Sequence, residues 1–184
     1  EFVEKPFSSE KLLNYVKRAL EVEDIRKDKD NAENKLFHSF DLIGKSFEIL
    51  KIKKTIEKLA TAESRVLITG QTGTGKELVA RKIHKNSLRS QNPFVVFNAA
   101  LLRETKYEKQ LFGEEYENGN IDYGVLDKAS RGTLLLDEVS EIPYEIQSNI
   151  LRTLIDQKFK RINGTKDIYV NIRIISSTSK NLKT

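Results

Sequence analysis

The segment Gly70-Gln71-Thr72-Gly73-Thr74-Gly75-Lys76 restricts the possible folds of this chain more than any other. It fits G-x-x-x-x-G-K, a signature with structural conditions attached: a strand must lead into it and a helix must leave it. Both stand beside it, for Arg65-Val66-Leu67-Ile68-Thr69 is a short apolar strand and Lys76 to about Asn86 has helical spacing. Gly70, Gly73 and Gly75 allow positive φ angles and a close approach of backbone to an anion. The N–H groups at the helix start face that anion, backed by the helix dipole. Lys76 reaches the terminal phosphates as a point charge. Glu77 stands where a Ser or Thr usually ligates Mg²⁺. A second partner follows 61 residues after Lys76, in Leu134-Leu135-Leu136-Asp137-Glu138. An apolar strand ending in Asp-Glu sets Asp137 at the carboxyl edge of a sheet, where it can hold Mg²⁺ through water. Glu138 is then placed to orient or deprotonate an attacking water. Together the two motifs imply nucleotide binding.

The surrounding pattern supplies the matching fold class. Ile49, Ile52, Ile56 and Leu59 mark a helix near 46–62, and Tyr144–Gln157 reads as another. Pro93–Phe97, Thr133–Leu136 and Ile168–Ser176 read as further strands. Near-continuous apolar strands alternating with helices predict an α/β fold, a parallel sheet flanked by helices on both faces. Ahead of it, Leu12, Leu13, Val16, Ala19 and Leu20 form a helical stripe capped by Ser8 or Ser9, and a densely charged linker follows. The expected divisions are therefore 1–22, a linker over 23–39, and a core over 40–184.

Composition mainly excludes. With no Cys, disulfides, thiolate zinc sites and Cys nucleophiles are ruled out together, which fits a cytoplasmic location. No apolar run approaches the ~20 residues of a membrane span, so no membrane partner is expected. The net charge of +5 is thinly spread, and residues 1–64 carry as many acidic as basic groups. Only 151–166 is locally basic, with Arg152, Lys158, Lys160, Arg161 and Lys166 against Asp156, and it reads as a solvated face. The chain opens on Glu1 and contains no Met, so it is expected to be a piece of something longer.

Gly70–Glu77 with Leu78-Val79-Ala80-Arg81 resembles the AAA+ ATPase domain of the NtrC-type enhancer-binding activators, in which Glu commonly follows the loop Lys. The likeness continues through Leu111-Phe112-Gly113, Gly132–Glu138, Glu141-Ile142-Pro143, Gln147–Leu154, Phe159–Gly164 and Val170–Ser179. Phe2-Val3-Glu4-Lys5-Pro6-Phe7 and its helix look like the C-terminal end of a receiver domain, with Lys5 in the place of the Lys that contacts the phosphorylated Asp. Two departures narrow the resemblance. The stretch Gly113–Gly124 is short and acidic and lacks the hexapeptide loop that engages sigma-54. Ser179 stands where an Asn sensor is usual. Both look like the NtrX branch, whose members lack that loop.

The resemblance implies site residues. Gly70, Gln71, Thr72, Gly73, Thr74, Gly75, Lys76 and Glu77 would cradle the phosphates of ATP. Ala129, Ser130, Arg131, Gly132, Thr133, Leu134, Leu135 and Leu136 would join the nucleotide site, Asp137 would sit on Mg²⁺, and Glu138 would prepare the water. Asn98 would hold Glu138 away from water until a partner engages, although Asn is also an ordinary helix cap. Ser179 would hydrogen-bond the γ-phosphate. The implied function is an ATP-binding two-component response regulator controlling transcription, phosphorylated by a sensor histidine kinase on a receiver Asp outside this chain. DNA would be bound through a C-terminal domain also outside it, and the protein would form a homo-oligomer. The alternatives are an active ATPase remodelling a sigma-54 polymerase complex, or a structural module locked by nucleotide without turnover. With no lid expected in the chain, hydrolysis would be slow at best.

Overall fold

The computed structural model describes residues 42–101 and 106–181. The expected receiver tail and charged linker lie outside these residues. Helix α1 (Phe47–Ala60) starts where the Ser46 hydroxyl accepts the Ile49 N–H at 3.3 Å, satisfying one of the free donors of the first turn. Then come β1 (Val66–Thr69), α2 (Lys76–Lys85), β2 (Phe94–Asn98), α3 (Tyr107–Phe112), β3 (Glu114–Glu115), β4 (Ile121–Asp122) and α4 (Val125–Lys128). The remainder is β5 (Thr133–Asp137), α5 (Tyr144–Asp156), β6 (Lys158–Phe159), β7 (Ile168–Tyr169) and β8 (Arg173–Thr178).

The main sheet runs β1-β8-β5-β2 with every pair parallel. One of its two inner strands, β5, is the apolar run read from the sequence, and Leu134 and Leu135 are fully buried in it. Side chains alternate across a strand, so successive residues feed opposite cores. Leu134, Leu136 and Ile174 pack with Phe97, Leu111, Leu126, Ile146 and Ile150 on one face. Leu135 and Ile175 pack with Ile56, Ala80 and Ile83 on the other. Helices α1 and α2 cover that second face, as a sheet buried on both sides demands. Because all four strands run the same way, Thr69, Asn98, Asp137 and Thr178 end on one edge, the edge where ligands gather in such sheets.

Two sequence expectations need correction. Ile168–Ser176 is not one strand. Ile168–Tyr169 pairs antiparallel with β6, and the sheet strand starts only at Arg173. Between them the backbone turns to other partners, Val170 N–H donating to the Gln157 carbonyl and the Asn171 carbonyl accepting from Arg131 N–H. Nor is 151–166 uniformly a solvated face. The Arg161 side chain is 90% buried, because two carboxylates take up its charge.

Gly132, just before β5, has a backbone reason for its identity. Thr133 N–H donates to the Pro93 carbonyl at 2.9 Å, and a Cβ on Gly132 would fall on that same carbonyl oxygen. Gly132→Ala is therefore expected to destabilise the domain by about 1–3 kcal/mol through forced backbone shifts. Urea denaturation checks this, and an unchanged midpoint would refute it. At the far end of α1, the buried Arg173 guanidinium donates to the Leu59 and Ala60 carbonyls at 2.5 and 3.4 Å, supplying the free acceptors of the last turn.

Candidate functional site

The loop between β1 and α2 folds as its glycines require, with one difference. Gly73 and Gly75 take φ of 81° and 86°, the left-handed region that a side chain disfavours. Gly70 is not in that region. Its lack of a side chain instead leaves room for Thr74, whose Oγ1 would stand 3.0 Å from a Cβ there. Thr74 closes the turn by donating its hydroxyl to the Gln71 carbonyl at 2.7 Å. Gly70 N–H donates to the Thr178 carbonyl at 3.2 Å, tying the loop to the end of β8.

Lys76, the first residue of α2, is buried, and its ammonium turns back into the loop. It donates to the carbonyls of Gly70 at 3.0 Å and Gln71 at 3.3 Å, and pairs with Glu138 Oε1 at 3.0 Å. Glu77 pairs with Arg81 one turn later at 2.7 Å. The position where a hydroxyl usually meets the metal thus holds a carboxylate already engaged elsewhere.

Asp137 ends β5 beside Asn98, its register partner on β2. Asn98 Nδ2 donates to Asp137 Oδ2 at 3.0 Å, and Ser177 Oγ donates to Asp137 Oδ1 at 2.5 Å. Glu138 follows in the left-handed conformation, φ 53° and ψ 54°, uncommon for a residue with a side chain and frequent at working sites. Its Oε2 accepts both the N–H and the hydroxyl of Ser179 at 2.8 Å each. Burial pushes the Glu138 carboxyl up, but the two Ser179 hydrogen bonds and the Lys76 ammonium outweigh it and hold the carboxyl below its ordinary range.

The structure therefore gathers Gly70–Lys76, Asn98, Asp137, Glu138 and Ser179 at one edge. It does not bring Asn98 to Glu138. Asn98 spends its amide on Asp137 and accepts the Ala100 N–H on Oδ1 at 3.0 Å, a capping bond. Ala129, Ser130, Arg131, Gly132 and Thr133 are not brought to the loop either. They sit at the amino end of β5, where Thr133 pairs with Phe94, the opposite edge of a parallel sheet from the loop. Leu134, Leu135 and Leu136 fill the core between those edges. Their place in the sequence next to Asp137 is a property of the strand, whose length separates its two ends. Ser177, which sequence reading left unassigned, joins the site. Its signal was a polar run, Ser176-Ser177-Thr178-Ser179, closing an apolar strand.

The acidic stretch before α4 is a closed hairpin. Gly113 and Gly124 lie back to back at its base, and a Cβ on Gly113 would fall on the Asp122 carbonyl oxygen. Lys109 holds one side through Glu114 at 2.8 Å and Asp122 at 3.3 Å. Arg161 holds the other, with Nη2 on Asp127 Oδ1 at 2.6 Å, Nη1 on Glu115 Oε1 at 3.1 Å, and its guanidinium 5.1 Å from the Tyr123 ring centre. The backbone joins in, Glu115 N–H donating to the Ile162 carbonyl and Ile162 N–H to the Gly113 carbonyl, each at 3.0 Å.

A parallel sheet with this loop and an Asp-Glu strand end on the same carboxyl edge defines a P-loop α/β domain. A family model described as the sigma-54 interaction domain matches residues 42–184, and the chain belongs to that family, in its NtrX-like branch. It is 40% identical over 184 residues to the nitrogen assimilation regulatory protein NtrX of Azorhizobium caulinodans, covering all of this chain and 40% of that protein. An NtrX-like response regulator of Rickettsia typhi is 42% identical, again over the whole chain and 39% of the relative. Crystal structures of NtrX from Brucella abortus are similar at 42% identity. One has a TM-score of 0.77 and covers 99% of this chain and 40% of that one. Others of the same protein, in complex with ADP and with ATP, have TM-scores of 0.74 and 0.75. The chain spans about two fifths of the length of the curated relatives it matches.

Proposed function

We propose that the chain binds ATP and ADP with their phosphates in the Gly70–Glu77 loop, as the nucleotide-binding part of an NtrX-like response regulator. The observation that supports this best is Lys76, a buried ammonium held by the loop's own Gly70 and Gln71 carbonyls and facing Glu138 across the sheet edge. A buried cation so placed, at a helix start, is a phosphate partner by its chemistry. A titration with a fluorescent ATP analogue tests the reading. Lys76→Ala is expected to weaken binding by at least about tenfold, the loss of one charge-assisted contact. Equal affinity in both proteins would overturn it.

Mg²⁺ fits the same edge. Asp137 has an oxygen-donor carboxylate oriented by Asn98 and Ser177, each carboxylate oxygen retaining a lone pair. Mg²⁺ is commonly bound by one or two carboxylates with waters and substrate phosphates, so a single Asp is a sufficient protein contribution. When bound it would neutralise phosphate charge. Asp137 would hold it, while Glu77, drawn off by Arg81, would not.

The wider role follows the family. We read this as part of a two-component regulator of transcription with a sensor histidine kinase as upstream partner, a receiver Asp and a DNA-binding domain outside the chain, and assembly into a homo-oligomer. The hairpin favours a regulator over a motor that inserts a loop into sigma-54 polymerase. Glu114 and Asp122 are paired with Lys109 and Glu115 with Arg161, and the exposed tip, Glu117-Asn118-Gly119-Asn120, is polar. Mg²⁺-dependent phosphate release by the whole protein, lost in Glu138→Gln, would instead support the motor.

A further inference from the structure

We propose that Ser179 is a positioning residue that parks Glu138 in the place of a phosphate, so that nucleotide must displace an internal carboxylate before it can bind. The inference rests on the reading that the loop takes nucleotide phosphates, and it gives Ser179 a different task from touching the γ-phosphate. The geometry is a count of donors and acceptors. The Lys76 ammonium has three N–H donors, and its partners are the Gly70 carbonyl, the Gln71 carbonyl and Glu138 Oε1. Two of these belong to the loop itself, so the Glu138 carboxylate occupies the direction left for an anion from outside. Its other oxygen takes two hydrogen bonds from one residue, the Ser179 N–H and Oγ. The carboxylate is thus held from both ends, by the lysine and by the serine.

The framework keeps this arrangement in register. Ser179 follows Thr178, the last residue of β8, and the Thr178 carbonyl accepts the Gly70 N–H that opens the loop. The end of β8 therefore touches the loop through one residue and Glu138 through the next. Asn98, the residue expected from the sequence to restrain Glu138, is committed to Asp137 and Ala100. Restraint of Glu138 falls to Ser179. Nucleotide entry would transfer Lys76 from Glu138 to a phosphate, and a weaker hold on Glu138 makes that transfer easier. The logic is that of a binding-competent state whose population limits apparent affinity.

The test is the affinity of the full chain for ADP, read by calorimetry in wild type, Ser179→Ala, Ser179→Thr and Glu138→Gln. ADP carries no γ-phosphate, so a tighter complex cannot come from blocked hydrolysis. Ser179→Ala is expected to bind ADP about three- to tenfold tighter, the net scale of one solvent-exposed hydrogen bond. Ser179→Thr, which keeps the hydroxyl, should stay near wild type. Glu138→Gln, which removes the ion pair, should tighten ADP by about tenfold or more. Unchanged or weaker ADP binding in Ser179→Ala overturns the inference, as does an equal gain in Ser179→Thr. A serine that only senses γ-phosphate would show weakened ATP and unaltered ADP binding, the opposite pattern. Wild type that is folded and binds no ADP overturns the nucleotide reading, and this inference with it. Ser179 is exposed, so its variants remove no core contact.

Discussion

Arg161→Ala is expected to destabilise the domain by about 3–5 kcal/mol, the range seen when one partner of a buried ion pair is removed. The guanidinium is only 10% exposed and bridges Asp127, 11% exposed, and Glu115, 28% exposed. Removing it leaves the Asp127 carboxylate in a place that water scarcely reaches, while its Oδ2 still accepts the Gly124 N–H. The cost is the stranded anion more than the lost attraction. For a domain of this size the loss corresponds to a melting temperature lower by roughly 10 °C. Arg161→Lys should recover little, because a point charge cannot span two carboxylates that a planar fork meets at once. Calorimetry of the three proteins decides the matter. A loss below ~1 kcal/mol would show the pair to behave as a surface contact.

The second large effect is acid sensitivity between pH 6.5 and 4. His84 is buried on α2, with Nδ1 2.9 Å from Thr133 Oγ1 and its ring centre 5.2 Å from that of Phe94. Burial pushes its pKa down from 6.5 to about 4; a backbone hydrogen bond with Asn92 acts the other way, and Arg173 and Arg81 add repulsion. A folded-state pKa below the unfolded one means that the unfolded chain binds the proton more tightly. Stability from the neutral ring is therefore fully present above pH 6.5 and is lost as pH falls toward 4. The whole loss is on the order of 3 kcal/mol, spread over that window. Urea midpoints at successive pH values should fall across it, and His84→Gln should flatten the fall. A fall that persists unchanged in His84→Gln would place its origin among the carboxylates.

These effects also mark what could be read from sequence. The loop and Asp-Glu motifs located the functional edge because each has a fixed chain geometry: strand, tight glycine turn, helix, or apolar strand then carboxylates. Leu134–Leu136 read as central for the same local reason, that a strand buried on both faces must be apolar throughout. By contrast, the split of Ile168–Ser176 was not legible. β-prone residues run through it, and only the partners of Val170 and Asn171 break it. Arg161 looked like one cation in a basic run because pairing with Asp127 and Glu115, 34 and 46 residues earlier, leaves no local trace.

The sequence by itself determined the fold class, the direction of the sheet and the edge at which anions would meet the chain, since these follow from periodicity and turn chemistry over a few residues. Only the tertiary structure decided which polar groups share a bond there. Asn98 went to Asp137 because the register of β2 on β5 sets those two residues side by side. Glu138 went to Lys76 and Ser179 because its left-handed backbone turns it away from Asn98's partner and toward the ends of the loop and β8. Hydrogen-bond choice among several candidates at one sheet edge depends on ångström-scale placement of separate strands, which no local spacing encodes.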